Sequence, residues 1–164
     1  MAAGKTYDQI FTTTLTTAVA SVTISSIPSA YTDLVMVFNG SASATDSLYA
    51  RFNGDTATNY SSTVLYGNGT TALSDKRLSF NAAIIFDGGS TTTQHNNILH
   101  LMNYSNTTTY KTGISRGNSS SLYVAGTVIL WRSTAAINSM TVGLYSGANM
   151  TVGSSVTLYG IAAA

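Results

Sequence analysis

The sequence predicts an all-β fold: an antiparallel β-sandwich, jelly-roll-like, with about ten strands and little or no helix. Three observations lead there. Short apolar stretches, broken by turn residues, recur about every 10–15 residues, the spacing of a sandwich or barrel. No segment carries a convincing helical stripe of apolar residues. Thr and Tyr, which suit strands, are abundant, while Glu is absent and the usual residues of exposed helix faces are nearly missing.

The elements follow in order. "VASVTISSIP" (19–28) alternates Val22 and Ile24 with Ser21 and Thr23, and stops at Pro28, which cannot donate to a ladder. "DLVMVFNG" (33–40) is apolar on both faces and reads as a central, doubly covered strand. "SLYARFNG" (47–54) alternates Leu48, Ala50 and Phe52 with Tyr49 and Arg51. "NYSSTVLYG" (59–67) places Tyr60, Val64 and Tyr66 on one face. Strands are expected within 77–89, 96–106, 109–115, 122–132, 137–147 and 154–161, with room for one helical turn at 133–138. Val22/Ile24, Leu34/Met36/Phe38, Val128/Leu130 and Val156/Leu158 are the expected core pairs. Each such side chain contributes about 1.5–3 kcal/mol on burial.

At 164 residues the chain reads as one domain able to bury a real core. Residues 19–164 form the body. Residues 1–18 break its pattern: Tyr7, Ile10, Phe11 and Leu15 stand among threonines. That segment cannot close a core alone. It is either an edge strand of its own sandwich or an arm that reaches a neighbouring subunit and supports a homotrimer.

Charge excludes several functions. Only 8% of residues are charged and the net charge is +1, with the cations scattered. Nucleic-acid binding needs a basic stripe and an anionic membrane surface needs basic clusters; neither is present. There is no cysteine, so no disulfide framework or thiolate chemistry. "MAAGKTYDQIF" has no apolar run of the secretory kind, and no apolar run is long enough to cross a bilayer as a helix. Such a low-charge surface is poorly protected against self-association, which fits a surface that ends up against a partner.

The chemistry-bearing residues are few. "RFNGDTATNY" (51–60) offers Asn53, Asp55 and Asn59 around a glycine. A calcium loop of the EF-hand type needs a closing Glu, which this chain lacks. Asn-Gly between two alternating strands instead reads as a turn, leaving at most a weak cation site at Asp55. His100 shares a strand face with Ile98 and Met102, and it and His95 are not at ligand spacing, so no metal site or cofactor is expected. Asp87 in "IIFDGG" reads as a strand-ending turn residue. No residues converge on catalysis, and the chain is read as a non-enzyme. Tyrosines carry the one binding signal: Tyr60, Tyr66, Tyr104, Tyr110 and Tyr123 fall near turns or strand ends, where a glycan or partner could stack, although tyrosine also suits half-buried strands.

Several stretches together, Ile27-Pro28, Tyr31, Asp33-Leu34, Arg51 to Asp55, Asn59 to Ser61, Trp131, Ser133, Ala136-Ile137 and the closing "TLYGI" of 157–161, resemble a group of small β-rich virion proteins of tailed phages, many of which infect cyanobacteria and other aquatic bacteria. The closing motif departs conservatively from a "SLYGI"-like strand. The resemblance spans roughly residues 19 to 161. It implies a location in the virion and a structural role: a capsid decoration (cement) protein bound to the major capsid protein, or else a tail-associated protein recognising host surface glycans. It implies no catalytic residue.

Overall fold

The computed structural model describes residues 6–89, 93–119 and 123–162, and the side chains of 87–89 lie outside the described set. The described chain is all-β. The strands are β1 (Tyr7–Thr14), β2 (Ser21–Ile24), β3 (Asp33–Gly40), β4 (Asp46–Phe52), β5 (Tyr60–Gly67), β6 (Ala72–Phe80), β7 (Ala83–Gly89), β8 (His95–Met102), β9 (Lys111–Ser119), β10 (Tyr123–Trp131), β11 (Met140–Leu144) and β12 (Ser155–Ile161). They form two antiparallel sheets: one of eight strands, ordered β1-β12-β3-β8-β9-β10-β5-β6, and one of four, ordered β2-β11-β4-β7. Two more strands stand than the sequence pattern suggested. β1 is one of them, and the stretch at 77–89 divides into β6 and β7 in different sheets. No helical turn forms at 133–138.

Core residues come from alternating positions of both sheets, as period-two geometry requires. Leu34, Met36 and Phe38 of β3, Val156 and Leu158 of β12 and Leu99 of β8 face Leu48, Ala50 and Phe52 of β4 and Val142 of β11 in one cluster. β10 corrects the expectation for Val128 and Leu130. The strand buries the opposite parity, with Ile129 and Trp131 in the core and Val128 outside. Both faces of "VAGTVILW" are apolar, so alternation alone could not choose between them. Thr127, which reads as an outward residue, is buried. β3 departs too: its Leu34 face is covered by the second sheet, while Val35 and Val37 lie on the opposite face of the large sheet.

Residues 7–14 take the edge-strand fate. β1 pairs antiparallel with β12 from Tyr7↔Ile161 to Thr14↔Ser155, with a bulge between Gln9 and Phe11. Leu15 is buried, Ile10 and Phe11 pack against the core, and Tyr7 is exposed with its ring edge-on to Tyr159. The apolar residues of 7–15 thus have a place in the chain's own sheet and core.

"RFNGDTATNY" is a turn, of unusual reach. Asn53 and Gly54 both take positive φ, 52° and 67°, and Asp55 N–H closes the turn on Phe52 C=O at 2.9 Å. It is not a hairpin. β4 and β5 lie in different sheets, so the turn is a corner that carries the chain across the core. Asn53 fastens this corner to the 133–139 segment: its Nδ2 donates to Ala136 C=O at 2.8 Å, and its Oδ1 accepts from Asn138 N–H at 2.9 Å and Ser139 N–H at 3.2 Å. Asp55 fastens it to β10. One carboxylate oxygen accepts from Trp131 Nε1 at 2.7 Å and Asn59 Nδ2 at 2.9 Å, and the other from Ala57 N–H at 2.9 Å. Burial pushes the Asp55 carboxyl up, but these donors and Arg51 outweigh it and hold its pKa below the usual value. Both of its oxygens are engaged as structural acceptors.

Two other turns reuse one device. In "NGTT" (68–71) and "NTTT" (106–109) the asparagine Oδ1 accepts from the backbone N–H groups two and three residues on, and from both threonine hydroxyls.

The Asp55–Trp131 bond generates the first prediction. Asp55→Ala leaves a buried indole N–H without an acceptor and destabilises the fold by about 1–3 kcal/mol. Trp131→Phe removes the donor. The double variant is expected to lose less than the sum of the two singles, because they share one interaction. Denaturant midpoints of the four proteins read the coupling; strictly additive losses would show that the bond contributes nothing.

Candidate docking face

The outward side of the eight-stranded sheet is covered by no second layer among the described residues. Its side chains can be read across the ladder from the strand registers. One row runs Val37, Ile98, Arg116, Gly126, Leu65, Ser74 from β3 to β6. The next runs Val35, His100, Ile114, Val128, Thr63, Lys76. A third places Leu130 between Thr112 and Ser61, with Leu78 beyond. Leu65, Leu78, Ile114, Val124 and Val128 are each more than half exposed. Exposed apolar side chains are ordinary when scattered, but these are cross-strand neighbours on one face.

The charges on this face are few and mostly positive. Arg116 sits within the first row, between Ile98 and Gly126, and Lys76 ends the second. His100 Nε2 lies 2.9 Å from an Asp33 carboxylate oxygen, so the acid on this side is engaged at the β3–β8 end. Asn96 and Asn118 are cross-strand partners beside Arg116, and Asn118 Oδ1 accepts from Asn96 N–H at 3.3 Å.

A groove of about 660 Å³ crosses this face where β9, β10, β5 and β6 run together, with Leu65, Arg116 and Val124 on its walls. Gly126 leaves its floor open: a Cβ there would meet nothing within 4 Å. Inward packing does not require that glycine, so its effect is to lower the surface between Leu65 and Arg116.

The predicted tyrosines do not come together. Tyr60 and Tyr104 are fully buried and are corrected from contact residues to core residues. Tyr60 stacks on Trp131 at 6.2 Å, accepts from Phe52 N–H at 3.0 Å and donates to Asp55 C=O at 3.2 Å. Burial pushes its phenol up to about 12. The Tyr104 hydroxyl donates to Pro28 C=O. Tyr66 is half-buried at the groove and stacks on Tyr123 at 5.2 Å. Tyr110 is exposed, beyond the Asn106 turn. A buried phenol that bonds backbone satisfies its own polar end, and no ring face is left for a ligand.

The remaining sequence candidates also separate. Asp87 lies in β7 with its side chain outside the described set. His95 is buried, its ring stacked on Phe86 at 5.6 Å and tilted against Phe38 at 5.1 Å. Its Nδ1 has no hydrogen-bond partner among the described residues. Lys111 is buried and donates to Thr109 and Thr134 carbonyls at 2.8 and 3.1 Å. Among the described residues no three His or Asp side chains group as metal ligands would.

Sequence reasoning missed the outward apolar face. The signal was present in the alternate residues Val124, Gly126, Val128 and Leu130, of which Val128 and Leu130 were assigned to the core.

No protein-family model and no curated protein matches this sequence. Among solved structures, the galectin LEC-6 of Caenorhabditis elegans is similar at 8% identity and a TM-score of 0.39, covering 99% of this chain and 100% of that one. A mutant of the alginate lyase Aly36B in complex with an alginate tetrasaccharide is similar at 10% identity and a TM-score of 0.35, covering 94% and 71% of the two chains. The marine PL-14 alginate lyase from Aplysia kurodai follows at 7% identity and a TM-score of 0.28, covering 77% and 72%. These likenesses concern the β-sandwich architecture alone.

His95 generates the second prediction. Burial holds its pKa below the ordinary 6.5. The unfolded chain therefore takes up a proton at a pH where the folded chain does not. Stability is at its full value above about pH 6.5 and falls as pH drops from there toward the folded pKa. His95→Phe keeps a ring against Phe86 and removes the titration. Unfolding midpoints between about pH 7 and pH 5 should slope less in the variant than in the parent; equal slopes would remove His95 from the pH dependence.

Proposed function

We propose that this chain is a structural protein of a phage virion, a capsid decoration protein, and that it binds the head surface through the outward face of its eight-stranded sheet. The observation that carries the reading is the contiguous apolar face around Leu65, Ile114, Val124 and Val128 on a surface otherwise dressed in hydroxyls and amides. An apolar face of that kind is costly in water and gains by being covered. The resemblance of residues 19–161 to small virion proteins supplies the setting. The partner is the major capsid protein. Arg116 and Lys76 favour a capsid surface with acidic side chains around an apolar centre. The role is binding and reinforcement, with no chemical step.

A tail-associated protein that recognises host glycans is the second reading. One observation favours it: the open-floored groove places Arg116, beside Asn118, next to apolar walls, the mixture of polar and apolar surface that a sugar uses.

Attachment to particles decides between them. Val128→Asp and Leu65→Asp put a carboxylate on an exposed position and leave the core intact. In the decoration reading, either change lowers occupancy on purified heads by about tenfold or more, as for a residue at the centre of an interface. Copy number in whole particles then scales with the capsid's symmetry sites. A copy number that matches a single tail, together with glycan-array binding lost on Arg116→Ala, would replace the decoration reading with the second one. Full head occupancy by both Asp variants would remove the sheet face from the proposal.

A further inference from the structure

The four sheet edges are not alike. β1 carries a bulge at its middle, β2 has four residues, and β7 pairs with β4 through two register shifts. Each of these is a recognised way to blunt an edge against pairing. β6 has nine residues and pairs with β5 one-to-one from Ala72↔Gly67 to Leu78↔Ser61. Its one irregularity is at its end, where Ser79 takes a φ of 57°. No proline interrupts it. β6 is also the strand least embedded in the sandwich: all its residues but Arg77 and Phe80 are exposed, on both faces of the sheet. The four-stranded layer does not reach far enough to cover it. From Ala72 to Leu78, then, β6 offers a straight ladder edge with no packed layer on either side.

The strand's own sequence selects an occupant. Two copies of β6 related by a two-fold axis normal to the sheet pair antiparallel, with residues of the same face opposite each other. Three registers centre on its charged segment. Centring on Asp75 sets the two aspartates face to face, and centring on Arg77 does the same to the two arginines. Like charges directly opposite are destabilising. Centring on Lys76 places Asp75 of each copy opposite Arg77 of the other, twice by symmetry. In the same register Ser74 meets Leu78 on the outward face, which carries the apolar rows of one copy on toward those of the next. Lys76 meets its own counterpart on the outward face, so each of the three registers carries one like-charge pair on its axis, and this register alone adds two opposite-charge pairs to offset it.

We infer that β6 is a self-association edge: two copies of this chain join β6 to β6 in the Lys76-centred register, fusing their large sheets into one continuous sheet. Within a single chain Asp75 and Arg77 already pair on one face of the strand. Joining two copies turns these two pairs into a four-charge cluster of alternating sign. The inference does not depend on the virion reading, since it needs only the chain itself.

The register makes the experiment a charge swap. Asp75→Arg sets arginine opposite arginine twice, and Arg77→Asp sets aspartate opposite aspartate twice. The double variant D75R/R77D restores both opposite-charge pairs with their signs exchanged. Sedimentation velocity over a concentration series should show a dimer for the parent chain. Each single variant should raise the dimer dissociation constant by about tenfold, from two favourable cross-strand pairs turned unfavourable, and the double variant should return it to near the parent value. Both positions of change are on a strand that is mostly exposed, and circular dichroism and melting of each of the three variants confirm that the fold is intact. A parent chain that sediments as a monomer or a trimer at every concentration overturns the inference. So does a double variant no better than the singles, since that result places the partner of Asp75 somewhere other than Arg77 of a second copy. Failure on either count leaves head attachment through the sheet face standing or falling by its own test.

Discussion

The hydrogen bond from Trp131 Nε1 to the Asp55 carboxylate, 2.7 Å long, ties the corner between the two sheets to the end of β10. Asp55 belongs to the corner that leaves the small sheet, and Trp131 ends β10 in the large one. Between them lie Phe52 and Tyr60, one from each sheet, with ring centroids 5.5 and 6.2 Å from that of Trp131. The aromatic trio supplies the apolar contact between the layers, and the carboxylate supplies its direction. An indole N–H buried without an acceptor would be a standing penalty of the order of the whole contact. The corner also explains how a charge-poor chain uses one of its six aspartates. Asp46 is used alike: it is buried, and it accepts from the backbone N–H groups of Ser47, Ser146 and Ala148 at 2.7 to 3.2 Å. Burial raises its pKa and those bonds lower it further than burial raises it. In both places a carboxylate serves a backbone loop, leaving it unavailable for chemistry.

The sheets are unequal, eight strands against four, and most surface properties follow from that. Loops complete the core where the small sheet stops: Leu15, Ile27, Tyr104, Ile137 and Met150 lie outside the strands and are all buried. They cover the inner side of the large sheet around β12, β3 and β8. Toward β6 that cover runs out, and the strand stands clear on both sides. The outer side of the large sheet has no layer at all among the described residues. A sandwich with matched sheets would keep polar residues outside every strand. Here the outward positions of β10 carry Val124, Val128 and Leu130, so the usual inside-outside contrast is lost over much of that strand.

That loss is the reason the sequence was legible in part. Strand positions were readable because the turn chemistry is strong: Asn53-Gly54, Asn68-Gly69 and Asn106 all fall where strands were expected to end, and each asparagine or glycine adopts the geometry that favours it. Strand facing was readable wherever one face is polar, as in β4, where Leu48, Ala50 and Phe52 point inward as expected. It failed in β10, where both faces are apolar and the one hydroxyl, on Thr127, points in. Pairing was beyond local pattern. Asn-Gly predicts a hairpin, and its turn geometry did form, but the strands on either side separate into different layers because Phe52 must meet Trp131 across the core. The tyrosines misled for a related reason. A tyrosine near a turn can face a ligand or seal a corner with its hydroxyl on a carbonyl, and only the fold tells Tyr60 and Tyr104 from Tyr110.

Low charge and an uncovered sheet face are two sides of one constraint. A free domain usually protects itself from association with many mixed charges. This chain has only thirteen, seven cations and six aspartates, and two of the acids are engaged in holding loops at Asp46 and Asp55. Its solvent surface relies on Ser, Thr and Asn, which hydrate well but repel nothing at a distance. Electrostatic repulsion therefore offers little resistance when an apolar face approaches another surface. What a surface meeting this chain would encounter is short-range: the row of Ile114 and Val128 to be matched in shape, the cations Arg116 and Lys76 that must not be buried unpaired, and the ladder edge of β6. An acidic rim around an apolar centre satisfies the first two together, and a basic one fails the second whatever its shape. The few charges of this face sit among its apolar rows, Arg116 between Ile98 and Gly126 and Lys76 at the β6 end.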